Sequence, residues 1–182
     1  MGALDLDGPA TEIRTFYSIR EIREMVEAEI SQHRALLDDY SQWLGTLLRN
    51  PESSKKPEWA KKVSELQKIL RAGSRKGEKK EEKPAYLSDW VVFKDLMLCA
   101  DEFGEVEIIF EAVEELKNKI ERLEKAKNSL AELERYGFGK GVVYVTYIHE
   151  GVPEKIAVKP KKTLEGEEKF RFVADFSVVK QI

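Results

Sequence analysis

The stretch YGFGKGVVYVTYIHEG, residues 136–151, decides how this chain is read. Before it, apolar side chains recur every three or four residues; after it, they alternate, so a helix must give way here to a strand. Three glycines, Gly137, Gly139 and Gly141, surround Lys140 in the manner of a phosphate-cradling loop. A Walker loop, however, runs from strand through G-x-x-x-x-G-K-[ST] into a helix whose N-terminus faces phosphate. Here the order is reversed, and valine follows Gly141 where Ser or Thr would hold magnesium. A kinase-type glycine loop also needs a strand before it. The residues fit a Schellman cap instead: Tyr136 as C-cap, Gly137 at C′ with positive φ, and Phe138 at C″ against Leu133. The spacing predicts a corner.

Downstream of the corner, VVYVTYIH and EKIAVK read as two strands, and KFRFVADFSVV as a third with Phe170, Phe172, Ala174, Phe176 and Val178 on one face. Turn residues in EGVP and KPKKTLEGEE connect them, so residues 137–182 are expected to form a small three-stranded antiparallel meander packed on helices. Upstream, Val106, Ile109, Val113, Leu116, Ile120, Leu123, Leu130 and Leu133 define a helix over about 105–136, interrupted by Lys127 where an apolar residue was due. A lone polar residue in such a seam fixes register or marks the end of the partner helix.

A matching seam lies near the start of the chain. Ser18 and Glu21 in SIRE form an S-x-x-E capping box. From there Ile19, Ile22, Val26, Ile30, His33, Leu37, Tyr40, Leu44 and Leu47 follow a mean period of about 3.5, until Asn50-Pro51 ends the helix. Two seams of equal length predict an antiparallel, coiled-coil-like pair. Between them, 57–72 reads as a helix opened by Pro57 and stopped by Gly73. Residues 88–103 are apolar almost all round and read as a buried helix, and 74–84, without an apolar residue, as a flexible linker. The expected fold is therefore α+β: an N-terminal tail (1–17), a helical domain (18–136, helices about 18–49, 57–72, 88–103 and 105–136) and a β-domain (137–182).

At 182 residues, with 36% charged and 42% hydrophobic side chains, the chain can bury a core. A charge content dominated by Lys and Glu, with little Asn, Gln, Cys or Met, resembles the bias of proteins from hot environments. Cys99, the single cysteine, excludes an internal disulfide framework. The opening MGALDLDGPA has neither the basic region nor the apolar core of a signal peptide, and no apolar run approaches the roughly 20 residues that span a bilayer. A soluble, cytoplasmic protein without membrane attachment is expected.

No residue set carries recognisable chemistry. The two histidines, His33 and His149, cannot supply paired Glu-x-x-His motifs, and with Cys99 they are too few for a zinc site. His33 is expected as a hydrogen-bonded core residue, and Cys99 as a small buried hydrophobe lacking a base. No catalytic, cofactor or metal residue is assigned, and no motif ties the chain to a known family. What stands out is charge: residues 55–83 hold 11 basic and 5 acidic groups, although the whole chain carries −3. Lys61, Lys62, Lys68, Arg71, Arg75, Lys76, Lys79 and Lys80, with Lys159, Lys161 and Lys162 beside a strand, form a candidate surface for nucleic acid or an acidic partner. Tyr144, Tyr147, Phe170 and Phe172 are candidate stacking platforms beside it. The acidic long helices offer an intramolecular use for the same charges. The reading that follows is a non-enzymatic interaction or assembly protein, a homo-oligomer or a subunit of a hetero-complex docking through its long amphipathic helices. The alternative is a nucleic-acid accessory factor.

Overall fold

A computed structural model describes residues 10–50, 55–73, 86–138 and 141–161, with backbone alone at 70–73. The fold is α+β. In chain order the elements are β1 (Thr11–Phe16), α1 (Ile19–Leu48), α2 (Pro57–Gly73), β2 (Trp90–Phe93), β3 (Leu96–Cys99), α3 (Phe103–Tyr136), β4 (Val142–His149) and β5 (Val152–Pro160). They fall into two compact units, Met1–Glu27 with Lys125–Ile182, and Ala28–Glu124.

The two long helices pack against each other as their seams predict. In the first unit, Ile19, Ile22 and Val26 of α1 and Leu130 of α3 are buried. Arg23 pairs with Glu134 at 3.2 Å and Glu27 with Lys127 at 3.6 Å. In the second unit, Arg34 pairs with Glu124 at 2.7 Å. Partner numbers fall along α3 as they rise along α1, which makes the pair antiparallel. Lys127, the interruption in the α3 stripe, thus meets a carboxylate of α1. His33 is buried, and its Nδ1 donates to the Glu29 carbonyl oxygen one turn back, at 2.7 Å.

Helix α1 starts where the capping box places it. The Glu21 amide donates to Ser18 Oγ at 3.2 Å, and the Glu21 carboxylate accepts from the Tyr17 amide at 2.8 Å. In the second unit α2 lays Trp59 edge-on to Phe103, with ring centroids 5.0 Å apart. Around them Leu66, Val106 and Phe110 complete a core, flanked by Leu44, Leu47, Leu48, Val63 and Leu87.

The sheet of the first unit corrects one expectation. Its order is β1-β4-β5, so its third strand, β1, comes from the segment expected to be a tail. Thr11 pairs with His149 and Phe16 with Tyr144, partners far apart in sequence that no local pattern announces. The apolar side chain of Ile13 is 72% exposed on the outer face, so burial gave no cue either. Strands β4 and β5 are the first two of the expected meander; its third, KFRFVADFSVV, lies outside the described residues, as does the linker 74–84. Glu150 and Gly151, both with positive φ, make the tight turn between β4 and β5. Along β4 burial alternates, with Val142, Tyr144, Thr146 and Ile148 inward.

The second correction is larger. Residues 88–103 are a β-hairpin followed by the first residue of α3, where a buried helix was expected. An apolar run of this length does not by itself distinguish strand from helix. The β-branched Val91 and Val92, between Trp90 and Phe93, favour the pleated form, and Lys94 adopts a left-handed φ of 54° at the turn. Helix α3 then begins at Phe103, two residues earlier than the apolar stripe suggests, because Asp101 caps it: Oδ1 accepts the Phe103 amide at 2.9 Å.

Candidate functional site

The glycine corner behaves as a chain reversal. Gly137 takes a left-handed φ of 57° at the end of α3, and Gly141 a φ of 106° before β4. Phe138 meets the Tyr144 ring at 6.2 Å, and the Gly141 carbonyl accepts the Lys161 amide at 2.6 Å. A cleft of the first unit opens beside it, lined by Tyr17, Ser18, Arg20, Phe138, Tyr144 and Lys161 among others. The helix N-terminus that faces this cleft is already satisfied by Ser18 and Glu21. Burial raises the Tyr144 hydroxyl above its ordinary pKa.

The most unusual surface is the hairpin of the second unit. Its base is held firmly. The buried carboxylate of Glu107, on α3, accepts the Leu87 amide through Oε1 and the Trp90 indole N–H through Oε2, the latter at 3.0 Å. Gly104 leaves room for the ribbon: a Cβ there would stand 2.8 Å from Cys99 Sγ and 3.6 Å from the Trp90 ring. Cys99 is accordingly half-buried rather than enclosed in a core. Below the hairpin Asp101 accepts from Lys62 and caps α3. Both interactions, with the Lys62 hydrogen bond the larger, hold its carboxyl below the usual carboxylate range.

Beyond this base the ribbon is bare. Val91, Phe93, Leu96 and Leu98 are 65%, 57%, 63% and 53% exposed, and Val92 and Met97 are exposed beside them. Monomeric proteins rarely leave contiguous apolar patches larger than a few hundred Å² in water. This surface could be found in the sequence only as an apolar run. Read as a helix, it pointed to burial.

The basic candidates fall partly outside the described residues. Lys61 and Lys68 are exposed on α2, seven residues apart. Lys62 is turned inward to Asp101, its ammonium 5.4 Å from the Phe103 ring centroid, and Lys56 beside it pairs with Glu102 at 3.0 Å. Arg71 is placed by its backbone only. Lys159 and Lys161 belong to the first unit, Lys161 lying 5.7 Å over Tyr17. Arg75, Lys76, Lys79, Lys80 and Lys162, and the aromatics Phe170 and Phe172, lie outside the described residues. Tyr144 is on the inner face of the sheet, whereas Tyr147 is half-buried, stacked on His149 and approached by Lys155 at 5.7 Å.

Among the described residues, no group of three or more His, Cys, Asp or Glu side chains is placed to hold a metal ion, and no helix is long and apolar enough to cross a membrane. Comparison with known proteins finds no family model, no curated protein and no solved structure that matches the chain.

Proposed function

We propose that this is a non-enzymatic assembly protein of the cytoplasm, which docks on a protein partner through the apolar hairpin Trp90–Cys99. The observation that carries the reading is the exposure of six consecutive-strand apolar residues on a ribbon whose base is pinned by a buried carboxylate. A flexible loop could fold such side chains away; an anchored ribbon keeps them presented. The long helices turn their seams toward each other and leave single exposed apolar residues such as Trp43 and Ile108, whereas the ribbon presents its apolar side chains together. A single cysteine and the lack of a membrane-crossing helix among the described residues support the location.

The test is retention. The tagged chain and a Val91→Asp/Leu98→Asp variant are purified side by side from the native host. A species held stoichiometrically by the wild type and lost from the variant is expected; equal recovery by both removes the hairpin as the docking surface. The second reading, nucleic-acid binding, is favoured by one feature, the exposed pair Lys61 and Lys68 on α2. It requires anisotropy titrations in which affinity for DNA or RNA falls with salt and falls again in Lys61→Glu/Lys68→Glu; salt-independent or absent binding excludes it.

A further inference from the structure

The two faces of the hairpin differ. Pairing of Trp90 with Cys99 and Val92 with Met97 puts these four on one face, whose base rests on Gly104 and Glu107. Val91 with Leu98 and Phe93 with Leu96 form the other, on which all four side chains are more than half exposed. Among the hairpin's own residues, charge sits at the ends of this second face. Asp89 is exposed at the base, two residues before Val91, and the Lys94 ammonium lies at the tip, 5.8 Å over the Phe93 ring. The other turn residue, Asp95, is also exposed at the tip.

An acidic base, an apolar middle and a tip where Lys94 folds over the Phe93 ring beside Asp95 make a pattern in which Lys94 complements Asp89. A two-fold axis through the centre of the face lays tip on base. Each Lys94 then meets the Asp89 of the other copy, and the Val91, Phe93, Leu96 and Leu98 cluster meets its own image. We propose that the occupant of this face is a second copy of the chain, docked face to face and tip to base. The inference rests on reading the hairpin as a docking surface and names the partner. The four exposed apolar side chains of this face present on the order of 400 Å², about half of the roughly 800 Å² per partner of a standard interface, so flanking residues must supply the rest. Edge-to-edge pairing is the poorer use of the ribbon, since strands of four residues would add few ladder bonds.

Sedimentation equilibrium of the full chain across the micromolar range tests this. A mass approaching twice 21.0 kDa is expected. Val91→Asp/Leu98→Asp should yield a monomer with unchanged circular dichroism, because both side chains are exposed on the single chain, and with a melting temperature that no longer rises with protein concentration. Asp89→Lys and Lys94→Asp should each weaken dimerisation about tenfold or more by placing like charges together, and the double exchange should restore it. A wild-type monomer throughout the range overturns the inference, as does a dimer indifferent to Val91→Asp/Leu98→Asp. Single exchanges that weaken the dimer without rescue by the double overturn the tip-to-base arrangement. A wild-type monomer that Val91→Asp/Leu98→Asp destabilises would mean that the chain's own residues 162–182 cover the face, which also overturns it. If the pure chain is monomeric but host-partner retention still depends on the hairpin, the docking reading survives and a second copy is excluded. If both fail, both readings fall together.

Discussion

Glu107 is a carboxylate buried on α3 with two donors aimed at it, the Leu87 amide and the Trp90 indole. Removing the acceptor strands both, and a hydrogen bond to a charged group contributes about 1.5–3 kcal/mol. Glu107→Ala should therefore lower unfolding free energy by about 2–3 kcal/mol in urea titrations, with Glu107→Gln intermediate because it keeps one acceptor oxygen. Asp101 makes a pH prediction. Its folded pKa is depressed below 3.8 by the Lys62 hydrogen bond and the Phe103 amide. The unfolded chain takes up this proton first as pH falls, so the contribution to stability is complete above the unfolded pKa. It disappears as pH drops through the folded one. Stability of wild type relative to Asp101→Asn should thus shrink below about pH 4, and a constant difference from neutral to strongly acid pH would contradict this assignment. Neither role was legible in sequence. In sequence both carboxylates belong to the acidic stretch DEFGEVE, residues 101–107, and the Lys62, Leu87 and Trp90 groups that give them their roles come from other elements.

At the scale of elements, helix ends and seams were open to reading because their causes are local. Ser18 and Glu21 lie three residues apart, and Gly137 follows the last turn of α3. A Cβ at Gly137 would meet nothing within 4 Å, so Gly137→Ala tests backbone conformation alone. It should cost about 1 kcal/mol, the penalty of a left-handed residue with a Cβ, and Gly137→Asn less; a neutral Gly137→Ala would mean the chain leaves the helix differently. The hairpin is ambiguous in sequence. WVVF and LMLC have no polar residue to mark a period, so the run fits a helix and a strand equally until Lys94-Asp95 is recognised as a turn. Composition then suggested burial, whereas Gly104 and Glu107 secure only the foot of the ribbon.

Across the whole molecule the long-range feature is the union of β1 with β4. Thr11 opposite His149 closes a loop containing both long helices, and such pairings form late because the chain entropy is lost before contacts reward it. Pulse-labelled hydrogen exchange during refolding should protect amides of α2 and the neighbouring stretch of α3 before those of β1 and β4; earlier protection in the sheet would rule out this order. The candidate site follows the same division of causes. Its apolar residues stood in the sequence in plain order, but whether they were a core or a surface depended on what α3 placed beneath them.

The sequence by itself determined the helical seams, their caps, the glycine corner and the alternation of β4 and β5, because each depends on residues within a few positions of one another. Tertiary structure alone decided that β1 joins the sheet, that Glu107 anchors the ribbon, and that the most apolar stretch of the chain faces water. Burial is a property of what lies opposite a residue, and in those cases what lies opposite comes from a distant part of the chain.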